Sequence, residues 1–307
     1  MPKLTVIILC KNERMNIRPC IESARPFADE ILVADSGSTD GTMDIVRDIG
    51  GCRLVERQYI HYGDFANWAI AQASHDWVMI LDADERVSPE LATNIQQAMA
   101  VEPAVDGFRF RRVNYFMGHL VRRCGWDRDY IMRLFRREVG GYVGDTDHAC
   151  PQVSTNKIGT IEGTFHHYSY WTYDHYFQKY HRYTSFQAQQ WHKQGRRPST
   201  LAMLLTPLLT FIKYYVFNLG FLDGAVGIQV CWITAFYSFG KQARLWELHC
   251  AHQQPDPEKN HALKVGRVSN TSTDRAIHEC AVQPSIQPAT TRRSRAMDGI
   301  QCRPTSR

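Results

Sequence analysis

Short apolar runs rich in β-branched residues alternate with helical patterns through the first third of the chain. Four of these runs predict strands between residues 4 and 81, namely LTVIIL, EILVAD, CRLVE and WVMIL. Between them, apolar residues recur at helical spacing, as over residues 17–24. A further helix should begin after Ser88, with Pro89 at its first position. This βαβ order predicts an α/β fold, a Rossmann-like, mainly parallel sheet with helices on both faces.

Beyond about residue 105 the pattern changes. Two longer strand-like segments follow, GFRFRRVNYF and YIMRLFRR, separated by a stretch rich in Gly, Asp and Arg at 118–129. Residues 172–191 carry aromatic side chains at helical spacing, which is typical of a packed helix face. We therefore expect a first domain over residues 1–170 and a helical region over residues 171–248.

The helical region contains two strongly apolar runs, at 201–219 and 225–239, the first interrupted by Pro207 and Lys213. A clean membrane span has about 20 apolar residues without a central charge. The pattern favours interfacial or re-entrant contact with a membrane, with a buried helical hairpin or a true span as alternatives. Residues 249–307 are polar and predicted to be disordered, and their His and Cys spacing matches no zinc site.

Composition narrows the possible partners. A net charge of +5 and a pI near 8.7 fit an anionic partner such as a nucleotide diphosphate or an acidic membrane surface. The chain shows no ribonucleoprotein motif, zinc finger or basic zipper, so we expect no nucleic-acid partner. Nine cysteines without a CxxC pair indicate reduced thiols in the cytosol. We interpret the N-terminal apolar stretch as a strand and not a targeting segment.

The segment WVMILDADE, residues 77–85, carries the clearest chemistry. Asp82 and Asp84 follow an apolar run, and if the strand continues they project to the same side at its carboxyl end. Ligands of open α/β sheets bind at that edge. Two carboxylates there suit Mg²⁺ or Mn²⁺ bridging substrate phosphates. The alternative is a solvated strand end.

Asp35 closes the second predicted strand and leads into the turn-rich DSGSTDGT. It is suited to hydrogen bonding with a base or ribose, or alternatively to simple turn chemistry with Asp40 or Ser38 capping the next helix. The first strand ends in CKNE, where a dinucleotide-binding dehydrogenase would present GxGxxG. A haloacid-dehalogenase-type phosphatase is also disfavoured, because Arg86 interrupts its DxDx[TV] pattern.

Four motifs in order, KNE, DSGSTDGT, Asn67 and LDADE, resemble the family 2 glycosyltransferases of the GT-A fold. Later segments resemble the bacterial lipopolysaccharide core β-1,4-glucosyltransferase branch, namely YIMRLFRR, FHHYSY, YHRYTSFQA and GFLDG before KQARLWEL. The resemblance covers roughly residues 4–248.

The resemblance implies inverting transfer from a UDP-sugar to a membrane glycolipid, with Mg²⁺ or Mn²⁺ as cofactor. Asp84 and Asp82 would hold the metal. The residues implied to bind the nucleotide-sugar are Asn12, Glu13, Asp35, Asn67, Asp82 and Ala83. The second half of the chain would shape the acceptor side.

Single-displacement inversion needs a general base beside the acceptor hydroxyl. Relatives carry a His-Glu pair where this chain has His148 and Ala149, so the expected acid is missing. Asp145, Asp147 or Asp129 would substitute, or His148 itself would act as base. The remaining possibility is a structural His148 and no base at all.

Three arginines of the YIMRLFRR segment, at 133, 136 and 137, would neutralise a diphosphate or an acidic acceptor, or form a solvated strand face. We expect an enzyme at the cytoplasmic face of the inner membrane that adds a hexose, with glucose as the expected sugar, to a glycolipid such as lipopolysaccharide core. The alternatives are a catalytically reduced sugar-nucleotide-binding protein and a family 2 transferase acting on another cell-envelope polysaccharide or lipid carrier.

Overall fold

The computed structural model describes residues 1–126, 129–144 and 149–250. Its strands are β1 (Leu4–Cys10), β2 (Glu30–Asp35), β3 (Arg53–Glu56), β4 (Trp77–Asp82), β5 (Glu85–Val87), β6 (Gly107–Phe116), β7 (His119–Val121), β8 (Asp129–Arg136), β9 (Gly140–Val143), β10 (Cys150–Val153) and β11 (Ile158–Tyr170). Its helices are α1 (Ile17–Ala24), α2 (Thr42–Ile49), α3 (Tyr62–Ala71), α4 (Pro89–Met99), α5 (Tyr173–Lys193), α6 (Thr200–Ile212) and α7 (Gly224–Cys250).

The first four strands form the parallel part of the sheet in the order β3, β2, β1, β4. All four lie where the apolar runs predict them. The predicted helix start at Ser88 is also confirmed, since its side chain accepts the Leu91 amide hydrogen and Pro89 opens α4. Local hydrophobic period and capping chemistry therefore determine this half of the fold.

The sheet continues from β4 through β8, β6 and β11 to β5, with β7 paired to β6. Strand β8 is antiparallel to β4 and β6, and β5 is antiparallel to β11. Only Ala83 and Asp84 separate β4 from β5 in sequence, yet β8, β6 and β11 lie between them in the sheet. The sheet must therefore curl, which brings its β5 edge back beside the carboxyl end of β4.

Apolar side chains cover both faces of this sheet. One cluster packs α1, α2 and α4 against β1, β2 and β4, and it includes Trp77, Phe110 and Phe165. The other packs α3 against the opposite face and includes Ile80 and Phe135. Two buried faces explain why β1 reads as a continuous apolar run without alternation. The fold is thus the predicted α/β class with a curled central sheet.

A helical region follows β11. Helix α5 packs on α7, where the Tyr180 ring stacks on Phe236 with centroids 4.9 Å apart. Helices α6 and α7 form a hairpin joined by a π-helical turn and a 3-10 turn. The Asp223 carboxylate ties this hairpin to the segment after β7 by accepting the backbone hydrogens of Arg122 and Arg123 at 3.0 and 2.8 Å.

The helices of the hairpin are apolar. Two stretches, Thr200–Phe217 and Gly220–Cys250, are long and apolar enough to cross a membrane by length and composition alone. No residue of α6 is buried. This part of the prediction, an apolar helical pair able to associate with a membrane, is confirmed, whereas the division into domains stays a prediction.

The cysteines differ from expectation at one position. Cys150, at the start of β10, forms a disulfide, so the prediction of uniformly reduced thiols is wrong for this residue. Spacing cannot reveal such a bond, because a disulfide joins cysteines that are close in space and these can be far apart in the sequence. The other described cysteines are free, namely Cys10, Cys20, Cys52, Cys124, Cys231 and Cys250. The predicted disordered tail lies outside the described residues.

Candidate active site

Acidic residues from three neighbouring strands meet at the carboxyl edge of the parallel sheet. In the strand register Asp35 lies opposite Cys10 and Asp82 lies opposite Leu9. Glu13 follows β1 by three residues, and Asp84 lies just beyond β4. Parallel strands deliver their ends to one edge, which is where ligands of open α/β sheets bind. The sequence prediction of a site at this edge therefore rests on a real convergence of side chains.

Asp35 and Asn12 organise the loop that follows β2. The Asp35 carboxylate accepts the backbone hydrogens of Gly37 and Ser38, both at 2.9 Å, and the Ser38 hydroxyl hydrogen at 2.6 Å. Asn12, in the left-handed region with φ 56°, accepts the Thr39 amide hydrogen at 2.8 Å. Asp35 thus performs the turn chemistry considered as its alternative role. A contact of either residue with a nucleoside stays a prediction.

Glu13 lies half-buried between this loop and the β4 turn. Its carboxylate accepts a hydrogen bond from the Asn16 side chain at 2.8 Å. Burial and the nearby Asp84 carboxylate raise the pKa of Glu13 to about 7, against the lowering effects of Asn16 and Lys179. Glu13 is therefore partly protonated near neutral pH, which lets it donate as well as accept a hydrogen bond.

The raised pKa of Glu13 predicts a pH-dependent stability difference. Because the folded-state pKa of Glu13 lies above the unfolded value, Glu13 stabilises the fold at low pH. This contribution to the free energy of unfolding is lost as pH rises from about 4.5 to about 7. Through Glu13, the native chain should lose roughly 2–3 kcal/mol of unfolding free energy between pH 4 and pH 8. Glu13→Gln, which does not titrate, should not show this part of the loss.

Urea unfolding of both proteins in EDTA at pH 4 and pH 8 measures this difference. The matched control is Glu90→Gln, at an exposed position in the first turn of α4, which should parallel the native chain. An E13Q variant that also parallels the native chain would contradict the raised pKa.

Asp82 is held by a buried basic residue. Its Oδ2 atom accepts a hydrogen bond from Arg133 Nη2 at 2.5 Å, and its Oδ1 accepts one from the Tyr62 hydroxyl at 2.9 Å. The same Arg133 nitrogen donates to Glu85 Oε1 at 2.7 Å, and Glu85 is fully buried. Asp82 and Glu85 raise the pKa of Arg133 against the opposing effect of burial. Asp82 is therefore part of an internal ion network.

Asp84 has a different set of neighbours. Its Oδ2 atom lies 3.2 Å from Lys179 Nζ and 3.6 Å from His167 Nε2. Only 6% of Asp84 is exposed, and burial alone would raise its pKa. The His167 and Lys179 charges outweigh that effect and hold the pKa of Asp84 well below its usual range, so this carboxylate stays ionised.

A contact at the ring nitrogen that points away from Asp84 fixes the orientation of His167. Its Nδ1 atom lies 2.8 Å from Asn114 Oδ1, an oxygen that can only accept a hydrogen bond. Nδ1 therefore carries the hydrogen, and Nε2 is the ring nitrogen that lies on the side of Asp84. A hydrogen bond to the distal ring nitrogen is the usual support of a metal-ligating histidine.

Asp84 and His167 together fit a divalent cation. Mg²⁺ in phosphate-bridging sites takes one or two protein carboxylates and completes its shell with substrate oxygens and water. Within residues 1–126, 129–144 and 149–250, no three His, Cys, Asp or Glu side chains form a fuller cage. The donor set thus suits an ion that is shared with a phosphate ligand.

The two aspartates of the LDADE motif do not share partners. Strand β4 ends at Asp82, so the condition for a common side, a continuing strand, is not met. Ala83, between them, is 2% exposed and donates its amide hydrogen to the Leu9 carbonyl oxygen. Both carboxylate oxygens of Asp82 already accept hydrogen bonds, from Arg133 and from Tyr62. The better placed metal ligand of the predicted pair is therefore Asp84.

Asn67, predicted to bind the donor, is engaged with the backbone of β9. Its side-chain nitrogen donates to the Tyr142 carbonyl at 2.8 Å, and its oxygen accepts the Tyr142 amide hydrogen at 2.9 Å. This pair of bonds fastens β9 to α3. A direct contact between Asn67 and a nucleotide-sugar remains a prediction.

The acceptor side is described in part. Asp129 Oδ2 accepts hydrogen bonds from Arg112, whose Nη2 and Nε atoms lie 2.5 and 2.6 Å away. Asp145, Asp147 and His148 lie outside the described residues. The adjoining Ala149 packs so closely on α3 that a Cβ on Gly63 would lie 2.7 Å from the Ala149 Cβ. The residue that replaces the expected glutamate therefore sits against the start of α3.

The arginines of β8 pair with acidic side chains. Arg133 is 6% exposed and pairs with Asp82 and Glu85. Arg136 pairs with Glu102 and Asp106 and lies over the Trp77 ring. The expectation of a solvated strand face is wrong for Arg133, which contacts Tyr62 of α3 and Tyr142 of β9, whereas neutralisation of a diphosphate stays a prediction.

Sequence reasoning missed three residues of this site. Glu85 ends the WVMILDADE segment, and nothing in the neighbouring sequence indicates that it is buried and paired with Arg133. His167 and Lys179 reach Asp84 from 83 and 95 residues further along the chain. The FHHYSY segment, which contains His167, was the available signal, since a histidine pair on a strand offers one imidazole to each face.

Comparisons with known proteins relate this chain to glycosyltransferases. The family model described as glycosyl transferase family 2 matches residues 5–150. The chain is 28% identical over 263 residues to the lipopolysaccharide core biosynthesis glycosyltransferase LpsC of Rhizobium meliloti, covering 83% of this chain and 97% of the relative. It is 26% identical over 258 residues to an uncharacterized glycosyltransferase of Rickettsia typhi, covering 81% and 88%.

Among solved structures, the chain is similar to glucosyl-3-phosphoglycerate synthase from Mycobacterium tuberculosis, determined with Mn²⁺, UDP and glucosyl-3-phosphoglycerate. The TM-score is 0.39 at 18% identity, over 54% of this chain and 72% of that one. The family match covers β1 to β4 and the acidic edge of the sheet. This chain therefore contains a family 2 glycosyltransferase domain, at residues 5–150, and is related over most of its length to a lipopolysaccharide core biosynthesis glycosyltransferase.

Proposed function

We propose that this chain is an inverting hexosyltransferase that moves a hexose, expected to be glucose, from a UDP-sugar to a membrane glycolipid such as lipopolysaccharide core. One observation carries the proposal. The ionised Asp84 carboxylate of the family 2 domain faces the Nε2 atom of His167, on β11 beyond that domain, at 3.6 Å, at the edge where Glu13 and Asp35 also lie. That arrangement suits a cation and the diphosphate of a nucleotide-sugar.

Asp84 and His167 would hold Mg²⁺ or Mn²⁺, and the bound ion would neutralise charge on the departing diphosphate. Asp82 would contribute mainly by its position, since Arg133 already neutralises it. Asn12, Glu13 and Asp35 border the loop at residues 36–42, a suitable place for the nucleoside.

The acceptor hydroxyl must lose a proton as it attacks the anomeric carbon. Asp129 is the described candidate for that base, and Arg112 orients it through two hydrogen bonds to one oxygen. The fully buried Glu85 also lies near Arg112, with its Oε1 atom 3.6 Å from Arg112 Nη1. Asp147 and His148 remain the other candidates.

A glycolipid acceptor requires access to a membrane, and α6 offers a surface for it. Six apolar residues at spacings of three and four along α6 are each at least 41% exposed, namely Leu201, Leu204, Leu205, Leu208, Leu209 and Ile212. This is the stripe of an amphipathic or membrane-facing helix, with no partner in the described part of the chain. We propose peripheral binding to the cytoplasmic face of the inner membrane through this stripe.

Negative charges introduced on the stripe should weaken membrane binding. Leu204→Glu with Leu208→Glu replaces side chains that are 63% and 50% exposed, and we expect at least a tenfold weaker partition, since each buried leucine contributes about 1.5–3 kcal/mol. Flotation of the full chain with anionic lipid vesicles measures it. The matched control is Ile60→Glu with Val101→Glu, which are 66% and 69% exposed outside the stripe. Equal flotation of both double variants would contradict the assignment of the stripe.

A donor screen tests the proposed activity. The chain is incubated with UDP-glucose, UDP-galactose, UDP-N-acetylglucosamine and GDP-mannose, with Mn²⁺ or EDTA, and released nucleoside diphosphate is measured. The proposal expects Mn²⁺-dependent release of UDP from one UDP-hexose. Release from GDP-mannose alone, or equal release in EDTA, would contradict the donor class or the metal.

A second candidate function is a sugar-nucleotide-binding protein with reduced catalysis. Ala149 favours it, because the family resemblance implies a catalytic acid at the position where this chain has alanine. Calorimetry that shows UDP binding, together with no transfer to any of a panel of glycolipid acceptors, would support this alternative over the enzyme.

A further inference from the structure

Lys179 brings a positive charge from α5 into the metal-binding edge of the sheet. Its Nζ atom lies 3.2 Å from Asp84 Oδ2 and 3.1 Å from the Ser169 carbonyl oxygen. The side chain of Lys179 is 26% exposed and that of Asp84 is 8% exposed. The ammonium group therefore neutralises the carboxylate in a largely dry setting, where charge interactions are strong.

The same carboxylate oxygen would serve both Lys179 and a divalent cation. Asp84 Oδ2 is the atom that Lys179 contacts and also the atom nearest to His167 Nε2. An ammonium group and a dication on one oxygen repel each other strongly at this separation. A cation that binds between Asp84 and His167 through Oδ2 therefore competes with Lys179 for that oxygen, and an ammonium group that leaves the oxygen needs another anion.

We propose that Lys179 is an internal counter-ion of Asp84 which moves to the donor diphosphate when the cation and the nucleotide bind together. This inference rests on the proposed function, because the diphosphate supplies the second anion. It follows that a divalent cation alone binds weakly, since it has to break the ion pair between Lys179 and Asp84 without compensation. The ion pair thus couples the binding of the cation to that of the nucleotide.

The coupling predicts an unusual gain of affinity on removal of a charge. Lys179→Met and Lys179→Gln should each bind Mn²⁺ roughly tenfold more tightly than the native chain in the absence of nucleotide. Lys179→Arg keeps the charge and should bind Mn²⁺ as weakly as the native chain does. Adding Asp84→Asn to Lys179→Gln should abolish the gain, because the carboxylate is its source.

Binding of Mn²⁺ to the full chain is followed by electron paramagnetic resonance of the free ion, with and without UDP, and thermal unfolding identifies variants that fold. The glutamine variant preserves hydrogen bonding to Ser169 if the methionine variant fails to fold. Unchanged or weaker Mn²⁺ binding by folded neutral variants, while the native chain binds Mn²⁺ with UDP, would overturn the role of Lys179 alone. No Mn²⁺ binding by the native chain, even with UDP, would overturn the proposed metal-dependent function together with it.

Discussion

Asp84→Asn should lower the initial rate of sugar transfer by about 10³-fold at saturating donor and Mn²⁺. The substitution keeps the shape of the side chain and removes the charge that faces His167 and Lys179. An amide binds Mg²⁺ or Mn²⁺ far less well than a carboxylate, so the leaving diphosphate loses its neutralising partner. Initial rates of UDP release at several Mn²⁺ concentrations measure the effect.

The control for this substitution is Asp44→Asn on α2. Asp44 is 77% exposed and pairs only with Arg47 in the described contacts, three residues further along the helix. It should transfer sugar at the native rate. A rate for Asp84→Asn within about threefold of the native chain would show that the metal site has been placed on the wrong residue.

Arg133→Met should cost about 3–5 kcal/mol of unfolding free energy. Arg133 bridges Asp82 and Glu85 at 2.5 and 2.7 Å, and Glu85 is fully buried. Removing the guanidinium leaves a buried carboxylate without its main counter-charge, which is the costliest way to break such a pair. Urea unfolding at pH 7 measures the loss.

Two further variants separate this cause from lost packing. Arg47→Met breaks an exposed pair with Asp44 and should cost at most about 1 kcal/mol. Arg133→Met combined with Glu85→Leu removes the buried charge as well and should recover part of the loss. A loss below about 1 kcal/mol for Arg133→Met alone would refute the buried network.

Local pattern predicts the parallel half of the fold well. Strands β1, β2 and β4 are buried on both faces, so their apolar runs are unmistakable. Ser88 and Pro89 mark the start of α4 because capping is a local interaction. The meeting of Glu13, Asp35 and Asp82 at one edge of the sheet was also predictable, because parallel strands have their carboxyl ends at the same edge.

The rest of the site depends on contacts that no local pattern encodes. Lys179 and His167 reach Asp84 only because the sheet curls and returns β5 and β11 to the end of β4. The solvated-face expectation for Arg133 is wrong because alternation on β8 does not show that Tyr62 of α3 and Tyr142 of β9 cover that face of the sheet. Position in the sheet, which the sequence reveals only indirectly, decides whether a charged residue is solvated or paired.

The central claim is metal-dependent transfer of a hexose from a UDP-sugar to a lipid-linked acceptor. Its most direct measurement uses UDP-[¹⁴C]hexose and Gram-negative membranes that contain truncated lipopolysaccharide, with the purified chain stripped of metal by EDTA and then supplied with Mn²⁺. The account predicts label in the glycolipid fraction with Mn²⁺, and background label in EDTA or with Asp84→Asn. Label that is independent of Mn²⁺ and of Asp84, or UDP-sugar binding without any labelled lipid, would contradict it.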